Sequence, residues 1–399
     1  MTREKLFIMK KIYIVLLMSL PIASVFSQTR YSTPFSPGKQ EFAPTAADFL
    51  TVPTSADVFG MGYAGISTNP NSSNITNNPA PLALGNNNTF LELSFTPWQR
   101  NLLAEMSLTS LAAYRKLNEK NTLGATVQYY SQGTILSTSA SGGLVQKRFY
   151  DIGIGMAWAR EVNENFSYGL GLKYVNASVF PFASRDFAPE RTSTLAGNMG
   201  IYYRNTVPGD EKATRYAMGI SLSNFGPKFH LNNDIELFLP TLLQLGGSLH
   251  HTIGKNHGLL LSLEVHKLLV PTQPRYASED SLVIVGKDPE VPFLKGIFQS
   301  FSDAPGISST NNNYNTFKEE LQEIMASAGL GYAYKEQYFA RAGYFYQHTG
   351  KGNNGFISFG AGYDLGGSRL NVAYILPINS EIFKNTWQLS FAVQIKEKE

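Results

Sequence analysis

The feature that most constrains the fold of this 399-residue chain is a regular alternation of large apolar residues with small ones. In the stretch YDIGIGMAWAR (150–160), five large apolar residues occupy every second position, and mostly Gly or Ala stands between them. A period of two is typical of a β-strand, because successive side chains point to opposite faces of the sheet. The pattern therefore predicts strands with one strongly apolar face and one nearly empty face.

The same alternation recurs along the chain. We count about 14 such segments, and an even number is what a bacterial single-chain membrane barrel requires. They lie near residues 88–96, 102–116, 121–132, 148–160, 164–178, 191–204, 213–224, 241–253, 257–267, 323–335, 337–347, 355–364, 368–376 and 385–396.

Composition agrees with a membrane barrel. Charged residues make up 16% of the chain, well below the roughly 25% of soluble domains, and aromatic residues make up 13%. The formal net charge of +3 is too balanced to indicate a nucleic-acid partner, and the absence of cysteine excludes disulfides and thiolate metal sites. A soluble β-sandwich also has alternating strands, but its outer face would be charged rather than rich in Gly, Ala and Ser.

The connections between the predicted strands alternate in length. Tight turns are predicted at 117–120, 163–165, 254–257, 335–336 and 366–368, and longer loops at 133–147, 179–190, 225–240 and 268–322. Short periplasmic turns and long external loops are the outer-membrane pattern. This topology places both termini in the periplasm.

In this register the face with large apolar side chains contacts lipid, and the face with small side chains lines the barrel interior. A closed barrel is required, because an open sheet edge would leave backbone groups unsatisfied in lipid. The charged residues predicted on the interior face are Glu92, Glu105, Asp151, Lys173, Glu264 and Arg341.

The chain divides into three predicted regions. Residues 1–27 form a signal peptide, in which Lys10 and Lys11 precede an apolar run. Residues 28–86 form an N-terminal segment, and its irregular part, 40–86, is predicted to plug the lumen, which is too wide in a 14-stranded barrel for wall side chains to fill. Residues 87–399 form the barrel.

Catalytic and metal-binding motifs are weak. The sequence has no G-x-S-x-G elbow, and the paired His250 and His251 lack metal-ligand partners at a suitable spacing. Asp151 and Glu105 could form a catalytic pair, but a polar barrel interior needs such residues anyway. We therefore predict a protein without enzymatic activity, cofactor or metal.

The loops carry the stronger indication of function. Phe180, Phe182 and Phe187 lie in the predicted loop 179–190, and Phe298 and Phe301 lie in 268–322. Aromatic side chains in long loops typically mark a binding surface. The alternative is that they pack over the barrel mouth as a lid.

Several of these stretches resemble the PorV family, from about residue 45 to the C-terminus. They are FLTVPTSADVFGMGYAGIST, NNPAPLA with Asn78, Pro79 and Ala80 in the plug, LSFTPWQRNL, LEVHKLLVPTQPRY, GKDPEVPFLKGIFQSFSDAPG and RAGYFYQHTGKGNNGFISFGAG. The polar stretch ISSTNNNYNT (307–316) departs from the pattern, as does the C-terminal IKEKE.

The resemblance implies a 14-stranded barrel similar to the FadL-type transporters, in the cell outer membrane. It also implies a role in type IX protein secretion. PorV-like proteins bind the large outer-membrane translocon and the C-terminal signal domains of cargo proteins, and deliver the cargo to a sortase-like surface attachment complex. Two alternatives stay open, a FadL-like channel for small hydrophobic molecules and an enzyme that modifies lipopolysaccharide acyl chains. In each case outer-membrane lipids surround the barrel.

Overall fold

The structure is a computed structural model, and it describes most of the chain after residue 44. The described residues are 45–85, 88–138, 144–179, 190–208, 212–230, 236–276, 283–308 and 314–396. The predicted signal peptide, 1–27, lies outside the described residues. No helix in the described part is long and apolar enough to cross a membrane.

The core of the fold is a closed barrel of 14 antiparallel strands, which confirms the predicted fold class. Each strand pairs with its neighbours in sequence, and the last strand pairs with the first, so that Asn88 faces Lys396. The strands are β1 (Asn88–Thr96), β2 (Ser107–Asn118), β3 (Asn121–Thr138), β4 (Leu144–Asn163), β5 (Phe166–Val179), β6 (Glu190–Val207), β7 (Lys212–Phe225), β8 (Leu242–Ile253), β9 (His257–Leu268), β10 (Ile324–Tyr334), β11 (Tyr338–Tyr346), β12 (Phe356–Asp364), β13 (Ser368–Pro377) and β14 (Trp387–Lys396).

Two predicted elements had wrong bounds. The loop predicted at 133–147 is shorter, because β3 continues to Thr138 and β4 begins at Leu144. The second strand begins at Ser107 and not near residue 102, because the chain makes turns through the preceding residues. Glu105 therefore lies in the loop before β2, where it is exposed and its Oε2 accepts a hydrogen bond from Thr134 Oγ1 (2.7 Å). It is not an interior residue of the wall.

The two ends of the barrel differ strongly. At one end, the short-turn end, strands are joined by turns such as 119–120 and 164–165, and β1 starts and β14 finishes there. At the other, the long-loop end, the largest connection is 269–323, called the long loop below.

The wall has the predicted faces. Along β4, Ile154 and Met156 are 49% and 57% exposed, whereas Gly153, Gly155 and Ala157 are buried. Of the charged residues predicted on the interior face, the buried ones are Glu92, Asp151, Lys173 and Glu264. Arg341 is half-buried, and its Nη1 donates to Asn371 Oδ1 (3.2 Å) across the inner face.

Helices and short strands occur outside the wall. Before β1 come α1 (Ala56–Phe59), α2 (Ser73–Thr76) and the 3₁₀ turns Asp48–Thr51 and Ala80–Leu84. The long loop contains α3 (Phe293–Gln299) and α4 (Thr316–Gln322), and a further 3₁₀ turn spans Thr349–Lys351. Three small antiparallel pairs complete the loops: Phe229–His230 with Glu236–Leu237, Arg275–Tyr276 with Val283–Val285, and Ile307–Ser308 with Tyr314–Asn315.

Residues 45–85, called the lumen segment below, contact inner-face residues of strands all around the barrel and therefore lie inside it. Their large apolar side chains are buried: Phe49 and Leu50 are 1% and 0% exposed. The Phe49 ring stacks on Tyr130 of β3, with 5.9 Å between ring centroids. This burial offsets much of the entropy lost when a long irregular segment is ordered.

The nearly empty inner face of the wall allows this close approach. A Cβ built on Gly343 would lie 2.0 Å from the Gly62 nitrogen, and one on Gly169 would lie 2.7 Å from the Ala80 nitrogen. Real side chains do not tolerate such distances. Glycine is therefore needed at these wall positions because the backbone of the lumen segment rests directly on them.

Candidate functional site

Buried polar side chains of the wall bind the backbone of the lumen segment. Glu264 Oε1 on β9 accepts from the Ile66 N–H (2.7 Å), and Lys173 Nζ on β5 donates to the Thr76 carbonyl (2.8 Å). Lys173 also donates to Asn224 Oδ1 (2.5 Å). The bonds to Ile66 and Thr76 satisfy backbone groups that burial would otherwise leave unpaired.

Further bonds come from other strands. Ser358 Oγ on β12 accepts from the Gly62 N–H (2.9 Å). Four wall side chains donate to backbone carbonyls of the segment. The pairs are Ser248 with Ser67 (2.6 Å), Gln388 with Pro53 (2.9 Å), Ser167 with Ala80 (2.8 Å) and Arg204 with Leu84 (2.7 Å). The segment is thus held from several sides of the barrel.

The tripeptide Asn78, Pro79 and Ala80 lies in this buried region. Asn78 Nδ2 donates to the Ile66 carbonyl (3.3 Å) and to the Ile201 carbonyl of β6 (3.2 Å), while its Oδ1 accepts from the Ala80 N–H (3.2 Å). Asn78 is 0% exposed. The sequence singled out the tripeptide by resemblance alone and did not identify its partners on the wall.

A cavity of about 120 Å³ remains between the lumen segment and the wall. Charged groups and rings line it together, among them Asp57, His250, Phe339, Arg341 and Arg369. This lining differs from the continuous apolar path expected of a channel for hydrophobic molecules.

At the base of the long loop, charged side chains form a compact cluster, called the ion cluster below. Lys267 Nζ lies 3.0 Å from Glu320 Oε2 and 2.8 Å from Glu323 Oε2. Lys351 Nζ lies 2.6 Å from Glu319 Oε1 and 3.1 Å from Glu323 Oε1. These side chains are at most 11% exposed, so the pairs are largely desolvated and fix the loop on β9 and on the turn after β11.

Asp303 adds a further carboxylate to the ion cluster. Its Oδ2 accepts from the Thr272 N–H (3.1 Å), and the residue is 1% exposed. Burial, together with the neighbouring carboxylates of Glu323 and Glu320, raises the pKa of Asp303 to about 7. Glu323 behaves differently: burial would raise its pKa, but the ammonium groups of Lys267 and Lys351 hold it below the usual value.

Carboxylate oxygens of Asp303, Glu320 and Glu323 lie within 4.8 Å of one another, which is the one such group among the described residues. The Lys267 ammonium already contacts two of them. The arrangement is therefore that of an ion-pair cluster in which lysine supplies the positive charge.

Helix α4 is inverted: it buries acidic side chains and exposes apolar ones, the reverse of an ordinary surface helix. Its acidic side chains face the ion cluster, and Glu319 is 2% exposed. Phe317 and Leu321, four residues apart and so on one face, are 73% and 51% exposed. The helix therefore presents an exposed apolar face at the long-loop end.

Helix α3 and the residue stretch after it expose further apolar side chains. Phe298 is 77% exposed, Leu294 58% and Phe301 49%. Lys267 Nζ lies 5.8 Å from the Phe301 ring centroid, so Phe301 lies near α4 and the ion cluster. We call the five residues Leu294, Phe298, Phe301, Phe317 and Leu321 the loop apolar surface.

Sequence reasoning named only part of this surface. The sequence indicated Phe298 and Phe301, and both side chains are exposed in the structure. Phe180, Phe182 and Phe187 lie outside the described residues. Phe317 and Leu321 were missed, although their spacing of four in FKEELQ could have indicated an amphipathic helix.

The fold and these two regions define a class: a membrane β-barrel whose lumen is occupied by its own N-terminal segment and whose largest loop exposes apolar side chains. The sequence profile of the type IX secretion system protein PorV matches residues 36–275. The chain therefore belongs to the PorV family. It is an outer-membrane protein of the type IX secretion system.

Three solved structures with a similar outline illustrate the fold. The toluene transporter TodX of Pseudomonas putida has 12% identity and a TM-score of 0.46, covering 89% of this chain and 98% of that one. The toluene transporter TbuX of Ralstonia pickettii has 12% identity and a TM-score of 0.47, covering 87% and 99%. A FadL homologue of Pseudomonas aeruginosa has 12% identity and a TM-score of 0.42, covering 88% and 99%. No curated protein sequence matches the chain significantly.

Proposed function

We propose that this protein is a non-enzymatic binding component of type IX secretion. Its long-loop end faces the cell exterior and binds the translocon and the C-terminal signal domains of cargo proteins. It then delivers the cargo to the sortase-like surface attachment complex. The family supports the secretion role, and the loop apolar surface supports binding through this end.

The inverted helix α4 is the observation that carries the proposal. Charged side chains cost free energy when they are buried, and large apolar ones cost free energy when they are exposed. Helix α4 does both, and a partner that covers Phe317 and Leu321 removes the second cost. Clustered aromatic residues also form the usual energetic centre of a protein interface.

The occupied lumen favours this function over the channel. A channel requires the lumen segment to leave or move, which breaks bonds from Glu264, Lys173, Ser358 and other wall residues. Binding through the long loop requires no such movement.

The decisive experiment removes the apolar surface without touching its base. Phe298→Ala combined with Phe317→Ala should leave the barrel folded and inserted, because both rings are more than 70% exposed. Each large anchor typically contributes about 2 kcal/mol or more to an interface. Co-purification with translocon and cargo should therefore fall by well over tenfold, and secretion should stop.

The matched control is Lys295→Ala with Lys318→Ala, which changes two exposed polar positions on the same helices. It should retain binding and secretion. Wild-type binding by the phenylalanine double variant would refute the proposal and favour the channel.

Orientation is tested separately. A cysteine at Lys318 should react with a membrane-impermeant reagent on intact cells, whereas one at Lys255, in the short turn after β8, should not. The reverse pattern would show that the long loop faces the periplasm.

A further inference from the structure

On the outward face of β3–β6, aromatic and hydroxyl groups mark the edge of the apolar band near the long-loop end. Tyr150 stacks on Tyr129 with 5.5 Å between ring centroids. Tyr174 Oη lies 2.8 Å from Ser193 Oγ. Aromatic girdles of this kind lie at the membrane–water interface of outer-membrane barrels. The residues beyond them are therefore at the height of the lipid head groups.

Two arginines occupy the next outward positions beyond this edge. Arg148 precedes Tyr150 by two residues on β4, Arg191 precedes Ser193 by two on β6, and both are exposed. The Arg191 guanidinium carbon lies 3.9 Å from the Tyr150 ring centroid, and its Nε donates to Asn176 Oδ1. The cation–π contact and the hydrogen bond fix the plane of this guanidinium.

Neither arginine forms an ion pair with any carboxylate among the described residues. Lys267 is the last outward residue of β9 at the same end of the barrel. Unlike the two arginines, it forms ion pairs with Glu320 and Glu323. Asp151, on the inner face of β4, interacts electrostatically with Arg191 across the wall. The outward face of β4–β6 nevertheless carries two arginines that no carboxylate contacts directly at head-group height.

The arginines can act together. Residues i and i+2 of a strand point to the same face and lie about 7 Å apart. Arg148 is therefore a neighbour of Tyr150, whose ring Arg191 covers. Guanidinium groups match phosphate oxygens in charge and in hydrogen-bond geometry, and they are the preferred residues for phosphate recognition. Two such groups beside an aromatic edge suit a head group that carries phosphate.

We propose that Arg148 and Arg191, with Tyr150, bind the phosphate of a lipid head group in the membrane leaflet at the long-loop end. In the orientation proposed above, this is the outer leaflet, and a phosphorylated glycolipid such as lipid A is the ligand. The bound lipid holds the β4–β6 wall at a fixed depth. The site is independent of the loop apolar surface.

The test measures lipid binding to the purified full-length protein in detergent. Wild-type protein should bind lipid A, and Arg148→Gln with Arg191→Gln should weaken that binding at least tenfold with an unchanged unfolding temperature. Arg160→Gln is the matched control, because Arg160 is exposed in the same outward row of β4 but at the short-turn end. It should bind as wild type does.

Two further probes identify the ligand. Dephosphorylated lipid A should bind at least tenfold more weakly than lipid A, and millimolar inorganic phosphate should not displace it. Equal binding of lipid A by the double variant and wild type would overturn the site. Equal binding of the dephosphorylated lipid would overturn the phosphate assignment, and displacement by inorganic phosphate would overturn the lipid assignment. None of these outcomes bears on co-purification of the phenylalanine variants with translocon.

Discussion

The lumen segment and the long loop are both long, irregular and rich in apolar residues, yet they treat those residues in opposite ways. Phe49 and Leu50 of the lumen segment are buried against the wall, whereas Phe298 and Phe317 of the long loop are more than 70% exposed. The long loop buries charge instead, since Glu319 is 2% exposed and pairs with Lys351 of the turn after β11. The function of an apolar segment can therefore be inferred only when it is known whether the segment packs against its own chain or remains exposed.

The largest expected effect concerns the base of the long loop. Lys351→Met should leave the buried carboxylates of Glu319 and Glu323 without one of their ammonium partners and destabilise the loop by about 3–5 kcal/mol. We expect rapid proteolysis within 283–323 while the barrel keeps its unfolding temperature. Lys384→Met removes an exposed pair with Glu381 and should change stability by no more than about 1 kcal/mol. If both variants resist protease equally, the ion cluster does not anchor the loop.

The next effect concerns the lumen segment. Gly343→Ala places a methyl group against the Gly62 backbone, and such overpacking typically costs about 1–3 kcal/mol. The unfolding temperature in detergent should fall, and the lumen segment should become open to protease. Gly247→Ala is the control, because its nearest atom lies at 3.7 Å. Equal unfolding temperatures and equal protease resistance of the two variants would mean that the lumen segment does not rest on the wall.

The third effect is a pH dependence of the long loop. The pKa of Asp303 is about 7 in the folded loop and about 3.9 when unfolded, so the folded loop binds the proton more tightly. The loop should therefore become less stable as pH rises from about 4 to 7 and stay level above that. Glu323, with its lowered pKa, acts in the opposite direction only below about pH 4.5.

Protease resistance of the long loop in wild type should consequently be higher at pH 5.5 than at pH 8. Asp303→Asn removes the titrating group and should abolish this difference. A variant that keeps the wild-type dependence would assign it to another group.

The period-two pattern was sufficient to predict the barrel, because the lipid face demands large apolar residues at alternate positions. It predicted the interior positions of Asp151 and Lys173 for the same reason. The pattern failed at Glu105, where apolar residues of a loop imitate a strand.

The contacts of the lumen segment could not be predicted, because the pairing of Gly343 with Gly62 depends on the register of the whole barrel. The exposure of Phe317 was missed for another reason. The acidic residues beside it in sequence look like a solvated helix face, and only their distance to Lys267 and Lys351 shows that they are buried.

The pairing of β1 with β14 has a consequence for folding. Asn88 meets Lys396 only after the whole intervening chain has been brought together, and the loop-closure entropy for roughly 300 residues is on the order of 5 kcal/mol. Until that contact forms, the sheet has two free edges that can pair with other chains. The last step of assembly is therefore both slow and exposed to misassembly, and a helper that shields these edges until they meet would raise the yield of closed barrels.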